Sequence, residues 1–220
     1  MDTPSPIPVS VTTWYGQNLQ DKYCYEKFLK GKQNGTFLDI GASDGKRFSN
    51  TLAFEESMGY TGLCIEPRKV AFDKLTALRK CHCENVAVDT EEREAEFLEL
   101  KGYGRCLSGL VDRYDPRHVQ RISREKNNPA HQGSEIIKVK TVCLETLLDK
   151  YDLHDIDFCS LDVEGAELKI LKSINWTKTR IRVLVVENNY QDPEMRKYLE
   201  SVGFKYDSTI QFQDEVYTNL

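Results

Sequence analysis

Short apolar runs alternate along this chain with segments whose apolar residues recur at helical spacing. Thr36 to Ile40 is the first run, broken by Gly41-Ala42-Ser43-Asp44-Gly45, after which Phe48, Leu52, Phe54 and Met58 continue in a helical register. Gly62 to Ile65 is a second run, ended by Glu66-Pro67, and Val70, Phe72, Leu75 and Leu78 form the stripe of the next helix. Asn85 to Val88 reads as a third strand and Ile136 to Val142 as an alternating one, followed by a short helix from Glu145 to Tyr151. Ile156 to Leu161 runs into Asp162-Val163-Glu164-Gly165, and Leu168, Ile170, Leu171 and Ile174 populate a helix. Ile181 to Val186 is the most β-branched stretch; a helix around Met195, Tyr198 and Leu199 and two β-rich pieces, Phe204 to Ile210 and Glu215 to Tyr217, complete the chain. Tyr23, Phe28 and Leu29 place one more helix ahead of the first strand. Buried strands alternating with amphipathic helices predict an α/β fold whose parallel sheet is covered on both faces.

At 220 residues the chain suits one large domain, given about 150 residues per domain. We expect residues 14–220 to form it and residues 1–13, with Pro4, Pro6 and Pro8, to be an extension or linker. Such a start also suits a domain cut from a longer, multidomain chain. Thirty basic against 35 acidic residues leave a net charge of −5, where a duplex-binding protein would usually be basic, so no nucleic-acid partner is expected. With no run of roughly 18 apolar residues and no signal-like start, membrane insertion is not expected and a cytoplasmic location is. Seven cysteines without CxxC repeats leave a zinc ribbon no ligand set. In Cys81-His82-Cys83, two thiols and one imidazole within three residues cannot easily converge on one ion.

Two stretches break the rhythm. Asp89 to Leu100 is acidic and Arg113 to Lys126 is basic, and both read as solvated faces. The alternative for residues 103–134 is an acceptor-side insert, a loop lying over a site.

In an open parallel sheet, ligands bind beyond the carboxyl ends of the strands, where strand order reverses. Four of the five ends read here carry an acid: Asp39, Glu66, Asp162 with Glu164, and Glu187. The Gly41 to Gly45 loop lacks the GxGxxG dinucleotide fingerprint, because Ser43 stands where a glycine is needed, and no P-loop is present. It still allows a tight turn whose amides face a carboxylate. Glu66 follows Gly41 by 25 residues, the spacing that sets an acid against a ribose diol; its plainer role is a carboxylate favoured at a helix start. On an extended segment Asp162 and Glu164 share a face, and with Glu187 they are candidates for a general base or for ligands of a divalent metal. Glu167 reads as a helix cap.

Phe37-Leu38-Asp39-Ile40-Gly41-Ala42-Ser43-Asp44-Gly45, Phe48-Ser49-Asn50-Thr51, Ile65-Glu66-Pro67, Leu107-Ser108-Gly109-Leu110, Ile156 through Glu167 and Val186-Glu187-Asn188-Asn189 together resemble the FkbM-type methyltransferases, and Tyr15-Gly16-Gln17 matches the segment preceding that fold. Ser43 departs from the asparagine frequent there. The resemblance implies a class I methyltransferase: a Rossmann-like, doubly wound, mostly parallel seven-stranded sheet with helices on both faces. It implies S-adenosylmethionine as cofactor and the hydroxyl of a sugar, glycan or polyketide-like molecule as acceptor. By position, Gly41, Ala42, Ser43, Asp44 and Gly45 would line the methionine moiety, and Asp39 and Ser49 would also bind the cofactor. Glu66 would bind the ribose, Asn85, Ala87 and Ser108 would sit near adenine, Gln17 would close over the cofactor, and Asp162 would lie near the transferring methyl. Arginines of the 113–124 stretch are expected to hold an anionic or polyhydroxylated acceptor. Two rivals stand beside this reading. A nicotinamide oxidoreductase lacks its fingerprint and a Tyr-x-x-x-Lys pair, and a non-catalytic cofactor-binding interaction domain would bind without turnover.

Overall fold

The computed structural model describes residues 13–220; the stretch with Pro4, Pro6 and Pro8 lies outside them. In chain order the elements are α1 (Gln20–Cys24, passing into a π-helical turn, Tyr25–Leu29), β1 (Thr36–Ile40), α2 (Leu52–Met58), β2 (Thr61–Ile65), α3 (Lys69–Leu78), β3 (His82–Glu84), β4 (Ala87–Val88), β5 (Glu94–Gly102), a 3-10 turn (Tyr103–Leu107) and β6 (Gly109–Leu110). There follow α4 (Pro116–Lys126), β7 (His131–Val142), α5 (Leu144–Tyr151), β8 (Asp155–Leu161), α6 (Glu167–Ser173), β9 (Arg180–Glu187), α7 (Pro193–Ser201), β10 (Lys205–Ile210) and β11 (Asp214–Thr218).

Seven strands form one sheet in the order β10-β11-β9-β8-β1-β2-β3. Only β11 runs against its neighbours, so the sheet is mixed but mostly parallel, as expected. Alternation along the strands feeds two cores. Leu38, Ile40, Leu63, Ile65, Leu184 and Val186 point to the face covered by α5, α6 and α7. Phe37, Cys64, Phe158, Val183 and Val185 point to the face covered by α1, α2 and α3. The chain leaves β1 toward β2 and β3 and later returns through β8 and β9 on the other side, so the doubly wound architecture has its switch point between β1 and β8. Among the described residues no helix is long and apolar enough to cross a membrane.

The interrupted middle differs from its reading. The acidic run contains β5, whose Ala95, Phe97 and Leu100 are buried between exposed glutamates. β5 pairs antiparallel with β6 and with β7, which starts at His131 instead of Ile136, and β7 carries β4, making a second sheet in the order β4-β7-β5-β6. The strand expected over Asn85 to Val88 is shorter, β4 alone, and it joins the second sheet; β3, just before it, closes the main sheet. Residues 103–134 are not a loop. Asp115 caps α4 by accepting the Arg117 N–H at 2.7 Å, Pro116 takes the first turn, and His118 and Ile122 are buried inward while Val119 is exposed.

Candidate active site

At the switch point the strand ends are held close. The Asp162 N–H donates to the Ile40 carbonyl at 3.0 Å, and a Cβ on Gly41 would stand 1.8 Å from the Asp162 carbonyl oxygen. Gly41, at φ +92, is therefore required both by conformation and by space. Three non-glycine residues of this rim also hold left-handed backbone, Ser43 (φ 51), Phe48 (φ 64) and Glu164 (φ 63), a conformation that costs of order 1 kcal/mol or more and clusters at functional sites.

A cleft with about 900 Å³ of non-atom space, its open mouth included, lies over these ends. Gln17, Gly41, Ser43, Glu66, Ala87, Ser108, Asp162 and Glu164 all line it. Its apolar wall is Val86, Ala87 and Val88 together with Phe97 and Leu110 of the second sheet. Arg47, Phe48, Arg68 and Arg105 complete the rim. The sequence reading missed Phe97, Leu110 and Arg68; the period-two burial around Phe97 was the available signal.

The remaining expected contacts lie behind the wall or at its edge. Asp39 is buried beneath the loop, where its Oδ2 accepts the Thr51 hydroxyl at 2.6 Å; burial, opposed by the Arg79 charge, pushes its carboxyl up to about 6. Ala42 packs in the core. Asp44 accepts the N–H groups of Lys46 and Arg47 and so shapes the turn that follows. A side chain on Gly45 (φ +76) would strike Leu75. Ser49 Oγ accepts the N–H of Thr51 and Leu52 at the start of α2. Asn85 Nδ2 donates to the carbonyls of Glu66 and Pro67, bracing the turn after β2.

Glu66 is 2% exposed and its carboxylate is fully engaged. Oε1 accepts the Arg68 backbone N–H and Nε, at 2.9 and 2.8 Å, and Oε2 accepts the Ser43 N–H at 2.9 Å and Arg68 Nη2 at 3.2 Å. Four donors fill the roughly four lone-pair positions of a carboxylate. A diol reaching Glu66 must therefore displace Arg68, whose guanidinium also donates to the Arg105 carbonyl across the cleft.

Four carboxylates gather beyond β8 and β9. Asp162, Glu167 and Glu187 present oxygens within 4.8 Å of one another. Glu167, read only as a cap, does take the N–H groups of Val163 and Gly165, and it also joins this wall. Glu164 does not share an extended face with Asp162, because the chain turns left-handed there; its Oε2 sits 3.3 Å from Nδ1 of the buried His118. Asp162 is exposed and lines the cleft; desolvation, then the charges of Glu167 and Asp214, push its carboxyl up to about 7. Burial raises Glu164, Glu167 and Glu187 as well, with Asp162 adding to the rise in Glu164 and Glu187.

A second cleft opens on the far side of the wall, lined by Glu164, Glu167, Glu187, Asn188 and Tyr190 with His118 and Arg117 of α4. Glu164 belongs to both clefts. Of the arginines expected to meet an acceptor, Arg113 is paired with the buried Asp89 at 2.9 Å, and Arg117 is held by Asp115 while covering the Tyr190 ring, 4.3 Å from its centroid. With Asp115, Glu164, Glu167, Glu187 and Asp192 among its lining residues against Arg117, and Arg121 acting on Glu164 and Tyr190, the second cleft is acidic on balance.

The Methyltransferase FkbM domain family matches residues 39–206, from β1 into β10. No curated protein matches. Among solved structures, the methyltransferase FkbM from Methylobacillus flagellatus KT is similar at 14% identity and a TM-score of 0.49, over 90% of this chain and 50% of that one, so this chain spans half the length of that relative. The delta-N METTL16 MTase domain is similar at 14% identity and a TM-score of 0.38, over 83% of this chain and 71% of that one. The matched residues include the Gly41 turn, Glu66 and the carboxylate wall, and on that match the chain belongs to the FkbM methyltransferase family.

Proposed function

We propose that this methyltransferase uses S-adenosylmethionine to methylate a hydroxyl of a sugar or glycan. The observation that carries the reading is the carboxylate wall between two clefts: Asp162 faces the first, Glu167 and Glu187 face the second, and Glu164 belongs to both. The first cleft fits the cofactor, because it combines an apolar slot beside Phe97 and Leu110 with the buried Glu66 acid and the Gly41 turn. When bound, S-adenosylmethionine supplies a sulfonium methyl that needs no further activation.

The chain's own groups then have two tasks. They must hold the acceptor oxygen in line with the methyl, roughly 3–3.5 Å away. They must also take the proton of a hydroxyl that is a poor nucleophile near neutral pH. Asp162, with a carboxyl near 7, is the base at that junction, and Glu187 positions the acceptor. The acidity of the second cleft favours a neutral polyhydroxylated acceptor over an anionic one. Asp162, Glu167 and Glu187 also suit the oxygen ligation of a divalent cation, which would polarise the acceptor oxygen.

Incubation with isotopically labelled S-adenosylmethionine and a panel of mono- and oligosaccharides, read by mass spectrometry, tests the proposal. Label in a saccharide hydroxyl is the expected result, and its sensitivity to EDTA separates cation assistance from a purely protein base. Cofactor binding without transfer to any member of the panel would refute the acceptor assignment.

A further inference from the structure

Successive residues of a strand face opposite ways, so Cys81 and Cys83 share a side that His82 does not. His82 stacks on Tyr151 of α5, ring centroids 4.5 Å apart, while Cys81 and Cys83 pack toward the opposite core. Three ligands from this run therefore cannot meet at one ion. What the two thiols meet is Cys64 of β2, in register with Cys83. Cys64 Sγ lies 3.6 Å from Cys81 Sγ, and Cys83 Sγ donates to the Cys81 carbonyl at 3.6 Å.

The sulfurs are not equivalent. Cys64 is 0% exposed, whereas Cys81 is half-buried at the sheet edge, so a reagent from solvent meets Cys81 first. Hydrogen bonding with Cys64 and Cys83, helped by the Arg79 charge, holds the Cys81 thiol below the usual range against the effect of burial. Burial, then hydrogen bonding with Cys81, raises Cys64. A low thiol that solvent reaches, beside a protonated one, is the arrangement of attacking and resolving cysteines.

We propose that Cys81 and Cys64 form a peroxide-oxidisable pair, with Cys81 as the attacking sulfur and Cys64 as the resolving one. The Cys81 thiolate attacks one oxygen of hydrogen peroxide; the S–O bond forms, the O–O bond breaks, and hydroxide leaves to take up the thiol proton as water. The sulfur, oxidised by two electrons, is now a sulfenic acid. The Cys64 sulfur then attacks it, the S–S bond forms and the S–O bond breaks, and the departing hydroxyl takes the Cys64 proton as a second water. Two thiols and one peroxide thus give one disulfide and two waters. The sulfurs would close from 3.6 Å to a bond of about 2.0 Å.

Treating the full chain with stoichiometric hydrogen peroxide, blocking free thiols, and mapping peptides by tandem mass spectrometry tests the pair. A 2 Da loss carried by a Cys64–Cys81 linkage should form at least tenfold faster than any product on the exposed Cys106. Cys81→Ser should abolish the linkage, and Cys64→Ser should leave a sulfenic acid on Cys81 that dimedone traps, with circular dichroism verifying that each variant is folded. Should Cys64→Ser fail to fold, the wild-type linkage and Cys81→Ser suffice. A Cys81–Cys83 linkage in place of Cys64–Cys81, or Cys106 oxidised first, overturns the proposal.

Discussion

His118 Nδ1 stands 3.3 Å from Glu164 Oε2, so α4 sets a buried imidazole against the one carboxylate common to both clefts. Nε2 of the same ring lies 3.2 Å from the Leu107 carbonyl, and an N–H there leaves Nδ1 as an acceptor in the neutral ring. Burial lowers His118 and raises Glu164, so desolvation disfavours the charged form of both facing groups. His118 also stacks on Tyr114, ring centroids 4.8 Å apart. His118→Ala leaves a cavity beside Tyr114 and Glu164, and should cost about 2–3 kcal/mol in urea unfolding. A loss below about 0.5 kcal/mol would mean that the contact does not hold the unit in place.

Asp162 carries a pH prediction for turnover. A base works deprotonated, so with a carboxyl near 7 the rate should climb as pH rises through about 7 and level off above it. Asp162→Asn should lower turnover by at least about 100-fold. The same variant should keep donor affinity within about threefold, under 1 kcal/mol. An Asp162→Asn enzyme with wild-type turnover would remove the residue from the chemistry.

Asp39 carries a pH prediction for stability. Folding raises its carboxyl from 3.8 to about 6, so its contribution is complete below pH 3.8 and is lost as pH rises through 6. About two pKa units correspond to about 3 kcal/mol. Asp39→Asn removes the dependence, so the variant should gain up to about 3 kcal/mol relative to wild type between pH 4 and pH 7. Unfolding curves at both pH values check this, and a difference that stays constant would contradict it.

Much of this architecture was legible because β-branched runs such as Ile181 to Val186 bury both faces and helical stripes such as Leu168-Ile170-Leu171 bury one. β5 was not, because Glu94, Glu96 and Glu99 dominate its composition while the burial rests on Ala95, Phe97 and Leu100 between them. α4 was hidden in the same way: its arginines suggested a solvated run, although Asp115-Pro116 is a helix start and His118 and Ile122 face inward. In the site, strand ends located Glu66, Asp162 and Glu187, since a sheet brings its carboxyl ends together whatever the loops do. That Glu167 and not Glu164 converges with Asp162 and Glu187 follows from the left-handed turn at Glu164, which ends the period-two rule that the sequence argument relied on. Nor does residue spacing reveal that Arg68, two positions after Glu66, fills its carboxylate.

The central claim is that the cleft between the Gly41 turn, Glu66 and Asp162 holds the adenosyl methyl donor. Calorimetric titration of S-adenosylmethionine into wild type and Glu66→Ala tests it most directly. Saturable binding to wild type, weakened at least about tenfold (1.4 kcal/mol) in the variant, is the predicted result. Equal affinities, or no binding to folded wild-type protein, would contradict it.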